Sequence, residues 1–316
     1  MYLAALLVGA QGCAREDDAA AYDRAVRALA ERVSGTPENT ALADLVNARI
    51  ARARAAPGEL AAGMRERLDA LQLEPLRIPG LFYRTHAWSG ADLGRVEVWL
   101  GRPVTLVETG EVDTVERNAA AVRVAVRAAA QGGRRVVLFS ASKGSADVQE
   151  ALAGDPSLGR DVALWVDLVG LLEGTPLTDP GTSAAERAAI GLPEDTATSM
   201  SRAVRRAAPA ADPRRFPAGT RAVHVAGFPA RDAISNAARA GFERLRPLGP
   251  NDGYLMLESF LRVPGRVLVV PGVDHYLRTA DLEPTVVALV SVLLDELALR
   301  APRSAPSDGP PDTGSQ

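Results

Sequence analysis

The chain of 316 residues is 47% hydrophobic and 24% charged, with a formal net charge of −3. That is a globular composition, long enough for one large domain or two small ones, and it excludes the basic surface of a nucleic-acid binder. One cysteine, Cys13, excludes an internal disulfide framework and a cysteine-built zinc site.

The first element is the apolar run "MYLAALLVGAQGC", which ends at Cys13 before polar "REDD". A run of about a dozen residues is too short to cross a bilayer as a helix and fits the apolar region of a signal peptide. Residues 1–19 are therefore read as a leader. Small residues just before Cys13 make it similar to the lipid acceptor of bacterial lipoproteins. No Lys or Arg precedes the run, and Ala10-Gln11-Gly12 departs from the usual box. The expectation is export, either secreted or anchored to a membrane through Cys13. The competing reading is a cytoplasmic enzyme with a misassigned start.

From 20 to 73, Ala, Leu, Val and Ile recur three and four apart, which predicts helices. Breaks at Ser34–Thr40 and Ala56–Glu59 divide the segment into three. No chemistry is legible there, and the segment reads as a helical extension packed on the main domain.

From 74 to 300 the texture changes. "PLRIPGLFY" predicts a short buried strand, "RVEVWL" an edge strand or a helix end, and "VTLVET" a strand. A helix follows from Asp113 or Thr114 to a pair of glycines. "RRVVLFSAS" is a strand and "GSADVQEALAGD" a helix. "DVALWVDLVGLL", "RAVHVAGFPA" and "GRVLVVPG" are strands, and "LEPTVVALVSVLLDELALR" is a final amphipathic helix. Short strands alternating with longer helices predict an α/β fold, with a mostly parallel sheet covered on both faces. Residues 178–217 interrupt the alternation with a polar, Pro- and Ala-rich insertion, which reads as a lid or as a surface excursion. The tail, 301–316, lacks apolar periodicity and is expected to be disordered.

The stretch "VVLFSASKGSADV" (Val136–Val148) carries the candidate chemistry. A nucleophilic serine stands clear of a sheet on a sharp strand-to-helix turn, which crowds the backbone two residues before and after it. With Ser142 as nucleophile the flanks are Ser140 and Gly144, both small. With Ser140 as nucleophile one flank is Leu138, which would clash. Ser142 is the better candidate, and Ser140 becomes a small spacer. The backbone amide of Lys143, the chain's only lysine, opens the following helix and is a candidate oxyanion donor.

The chain has three histidines. His86 precedes the serine, and His224 sits inside a strand and reads as a core residue. His275, in "VVPGVDHYL", lies on a loop between the last strand and the last helix and is the candidate base. Between Ser142 and His275, the acid is Asp252 in "GPNDGYLMLES" or Asp232 in "FPARDAIS". Asp274 would need an awkward backbone to reach its own neighbour.

"SASKGSAD", "LLEGTPLTD", "NDGYLMLES" and "PGVDHYL" occur in an order that resembles lipase-like and esterase-like α/β-hydrolases. The resemblance covers roughly 78–299. It implies Ser142 as nucleophile, Asp252 as acid and His275 as base, with no metal and no cofactor. It also implies a second oxyanion amide from Leu81 or Phe82. Ser140 stands where the family has glycine, and Pro79-Gly80 stands where it often has His-Gly. Gly174, Thr175 and Pro176 support the family without a catalytic reason of their own. The implied activity is hydrolysis of a small-molecule or lipid carboxylic ester, with an esterase favoured over an interfacial lipase. The competing reading is a non-catalytic scaffold or surface-anchored binding protein of the same fold.

Overall fold

Apolar residues spaced three and four apart do wind residues 16–70 into three helices. These are α1 (Glu16–Ser34), α2 (Pro37–Ala55) and α3 (Pro57–Ala70). The structure, a computed structural model, describes residues 16–85, 95–180, 191–279 and 282–300. Cys13, His86 and the tail 301–316 lie outside the described residues. α1 begins inside the segment read as a leader. Thr36 caps α2 by accepting from the Asn39 amide at 3.3 Å, and Pro37 stands in the first turn, where its missing N–H costs nothing.

Among the described residues six strands follow: β1 (Leu73–Ile78), β2 (Thr105–Leu106), β3 (Arg135–Ala141), β4 (Val162–Leu168), β5 (Arg221–Phe228) and β6 (Arg266–Pro271). They form one sheet in the order β2-β1-β3-β4-β5-β6, with every pairing parallel. The helices between and after them are α4 (Val96–Leu100), α5 (Val115–Ala129), α6 (Lys143–Gly154), α7 (Glu194–Ser199), α8 (Arg202–Ala207), α9 (Arg239–Leu245) and, after β6, α10 (Leu282–Arg300). "RVEVWL", open between strand and helix in the sequence, is helical. Val96, Trp99 and Leu100 point inward while Val98 is 61% exposed, which is helical spacing. Gly101 at φ +64 ends that helix.

Strand alternation divides the core. In β3, Val136 and Leu138 pack with Val122 and Val126 of α5 and Val148 and Leu152 of α6. Val137 and Phe139 face the other way, into Leu42, Met64, Leu68 and Leu289 of α2, α3 and α10. Each such fully buried side chain stabilises the fold by roughly 1.5–3 kcal/mol. Of the helices before β1, α2 and α3 therefore cover one face of the sheet itself, while α1 packs through Tyr22, Val26, Leu29 and Val33 with Ala226, Phe228 and Val267 on the other. They also blunt its edge: the Asn39 side chain accepts from the Val267 amide of β6 at 2.8 Å and donates to the Val33 carbonyl at 2.6 Å.

The described part of the 178–217 insertion is fastened to the flank of the sheet. Ser199 Oγ accepts from the Val115 amide at 3.2 Å, and Thr196 donates to the Val112 carbonyl. Arg205, fully buried, pairs with Glu150 at 2.8 Å and Glu116 at 3.3 Å. Residues 181–190 lie outside the described residues.

Candidate active site

β3 passes into α6 through Ser142 at φ 53, ψ −124. This region is sparsely populated for a residue with a Cβ. The surroundings fix it there. The Ser142 amide donates to the Leu168 carbonyl at 3.1 Å, and its own carbonyl accepts from Ser145 and Leu171 at 3.1 and 3.0 Å. The steric demand two residues on is real. A Cβ on Gly144 would stand 2.4 Å from the Pro79 carbonyl oxygen and 2.6 Å from that of Ile78, where β1 ends.

The small residue on the other side, Ser140, does more than leave room. Its Oγ accepts from Trp165 Nε1 at 2.7 Å and bonds Ser145 Oγ at 2.8 Å. Ser145 in turn donates to Asp167, whose other oxygen lies 2.7 Å from Nδ1 of His224. His224 Nε2 donates to the Pro264 carbonyl at 2.8 Å. His224 is thus the strand histidine expected, but it ends a buried polar chain that locks the elbow to β4 and β5. Sequence could not show this chain, because its members come from four separate elements.

The structure brings Ser142, His275 and Asp252 together. His275 Nε2 lies 2.9 Å from Ser142 Oγ, and His275 Nδ1 lies 2.8 Å from Asp252 Oδ2. An ionised carboxylate only accepts, so Nδ1 carries the proton and Nε2 is left to accept from the serine hydroxyl. Asp252, fully buried, is itself aimed. Its Oδ1 accepts from the amides of Tyr254 and Leu255, both at 2.9 Å, and the His275 amide donates to its carbonyl at 3.0 Å. Asp232 sits exposed in a short turn after β5, and the partner of His275 Nδ1 is Asp252 instead. Asp274 holds the histidine loop by accepting from the amides of Ser235 and Tyr276, at 2.8 and 3.0 Å.

Tyr254 was not singled out from sequence. Its ring stacks on His275 with centroids 4.7 Å apart, and its hydroxyl bonds that of Tyr276 at 2.7 Å. Burial pushes both phenols up, so both stay protonated around neutrality. Thr175 holds the same loop from the other side. Its hydroxyl donates to the Tyr254 carbonyl, tying the "GTP" turn to the acid loop.

Two backbone stretches converge beside Ser142. The Lys143 amide is the first of α6, where no intrahelical acceptor exists. Across from it, a Cβ on Gly80 would lie 3.1 Å from Ser142 Cβ and 3.7 Å from Ser142 Oγ. The chain carrying Leu81 and Phe82 leaves from this point, with Phe82 at φ 57.

The side chain of Lys143 takes no part in that. It is buried, 2.8 and 3.1 Å from the two oxygens of Asp147, and Asn118 Nδ2 donates to Asp147 at 3.0 Å. Burial pushes the Asp147 carboxyl up to about 6, although Lys143 pulls the other way. Lys143→Met should therefore destabilise the fold by about 3–5 kcal/mol in urea melts, because it strands a buried carboxylate. Adding Asp147→Leu should recover most of that loss.

A parallel sheet with a strained serine after its third strand and a histidine after its last is the α/β-hydrolase fold, and this chain has it. Among solved structures it is similar to the metagenomic carboxyl esterase MGS0156, at 23% identity and TM-score 0.57, over 72% of this chain and 76% of that one. It is also similar to the mature lipase BlEst2 of Bacillus licheniformis, at 22% identity and TM-score 0.56, over 71% of this chain and 91% of that one. At such identities the likeness is one of fold. No family model matches the sequence, and no curated protein matches it.

Proposed function

We propose that the protein is a serine hydrolase of carboxylic esters. One observation carries the reading: a hydrogen-bonded line from Ser142 Oγ through both nitrogens of His275 to Asp252, at 2.9 and 2.8 Å. In this reading His275 Nε2 takes the hydroxyl proton as Ser142 Oγ attacks the ester carbonyl. Asp252 keeps the imidazole in the productive tautomer and stabilises the imidazolium. The amides of Lys143 and of Leu81 or Phe82 receive the developing oxyanion, and each such donor is worth about 10²–10³ in kcat. The tetrahedral adduct collapses as His275 hands the proton to the leaving alkoxide. Water then attacks the acyl-enzyme by the same route and frees the acid.

A soluble or short-chain ester is the proposed substrate class. Aromatic residues make up 4% of the chain. Among the described residues the exposed large apolar side chains, such as Leu45, Val98, Val124 and Leu299, are scattered over separate elements. A surface built to dock on a lipid droplet would gather them. For the residues outside those described, we also propose export, either as a secreted protein or anchored to a membrane through Cys13.

Labelling of the folded wild type with a fluorophosphonate probe tests the reading. A covalent adduct mapped to Ser142 is the expected result. Folded protein that stays unlabelled would move the assignment to a non-catalytic scaffold.

A further inference from the structure

We infer that Tyr22, on the helix α1 that precedes the sheet, is a positioning residue for the catalytic acid, acting through the backbone of Asn251. The inference rests on the triad proposed above. The acid loop closes on itself through an antiparallel bridge between Asn251 and Met256. Its two bonds, Leu257 amide to Pro250 carbonyl at 3.0 Å and Asp252 amide to Leu255 carbonyl at 3.3 Å, come from the residues on either side of Asn251. The N–H and C=O of Asn251 itself therefore point out of the bridge, away from Met256.

Both end on a single atom. The Asn251 amide donates to Tyr22 Oη at 3.0 Å, and Tyr22 Oη donates to the Asn251 carbonyl at 3.1 Å. Asn251 is fully buried, so water does not stand in for the hydroxyl. One phenol thus serves as the neighbouring strand that this peptide lacks, one residue before Asp252. The ring has no freedom to drift. It is buried edge-on against Phe242, with centroids 5.2 Å apart, and Asp23 beside it accepts from the Arg231 amide at 3.0 Å. Burial pushes the phenol up to about 12, so the hydroxyl keeps its proton through the neutral range.

Without the hydroxyl, the Asn251 peptide has two buried polar groups and no partner, and the loop regains one only by moving. That movement carries Asp252 away from His275 Nδ1. From the sequence, Tyr22 belongs to an apolar stripe with Val26, Leu29 and Val33 and looks like a core residue. The pairing partner lies 229 residues away.

Tyr22→Phe in the full chain tests this. With a p-nitrophenyl ester, kcat should fall about 10- to 100-fold with KM within about twofold, the scale expected when a catalytic group is misplaced. In an Asp252→Asn background the same change should cost less than about twofold, because the acid it positions is already gone. The low-field NMR resonance of the His275 Nδ1 proton should move upfield or be lost to exchange. Val26→Ala, one turn along α1, should lower the melting temperature and leave kcat and the resonance near wild type. Tyr22→Phe with wild-type kcat and resonance overturns the inference. An equal cost in the Asp252→Asn background, or an equal loss in Val26→Ala, also overturns it. The resonance separates the two readings. A wild type that turns over no ester, but whose resonance shifts in Tyr22→Phe, loses the hydrolase assignment and keeps the clamp.

Discussion

Ser142→Ala should lower ester turnover by about 10⁴-fold or more while the protein keeps its far-UV spectrum and its melting temperature. The hydroxyl deleted lies 2.9 Å from His275 Nε2, whereas the fold holds this residue by its backbone. The amide and carbonyl bonds to Leu168, Ser145 and Leu171 survive in the alanine variant. Ser142→Gly separates function from stability further. At φ 53, ψ −124 a residue with a Cβ is strained by an amount on the order of 1–3 kcal/mol. Glycine relieves part of that strain, so the glycine variant should be as inactive as the alanine variant and at least as stable as wild type. Side-by-side melting curves and steady-state rates check both. Residual turnover near wild type in either variant would remove Ser142 as nucleophile.

Asp252→Asn should cost about 10⁴-fold in kcat near neutral pH, with Asp232→Asn within about twofold of wild type. The carboxamide keeps an oxygen for the amides of Tyr254 and Leu255, so the loop should stay folded. It then offers an N–H to His275 Nδ1 and turns that nitrogen into an acceptor. The proton moves to Nε2, which no longer accepts from Ser142. Asp232, exposed in its turn, has no such hold on the imidazole. Rates of the two variants on one substrate decide between the carboxylates. A larger loss in Asp232→Asn would reverse the assignment.

Sequence by itself determined the elements whose causes are local. The three N-terminal helices follow from apolar spacing, and the strands from short β-branched runs. The elbow follows from small residues on both sides of Ser142, because backbone crowding acts over two residues. "RVEVWL" stayed open because a six-residue run satisfies a strand and a helix alike. Only burial of Val96, Trp99 and Leu100, with Val98 outside, settles it. For the acid, Asp252 is the first candidate along the chain and Asp232 the second, and only the tertiary contact with His275 Nδ1 decides between them.

Tertiary structure decided what depends on distance in space. It aimed Asp252 at His275 through the amides of its own loop. It turned Ser140 from a spacer into a link toward Asp167 and His224. It also gave the N-terminal helices their place, with Leu42 and Met64 covering one face of the sheet, Asn39 capping its edge and Tyr22 holding the peptide before the acid. The physical reason is the same in each case. Hydrophobic patterning records which side of an element is buried, and it is blind to what that side is buried against. A buried N–H or C=O must find a partner, and only the folded chain determines which residue, hundreds of positions away, will supply it.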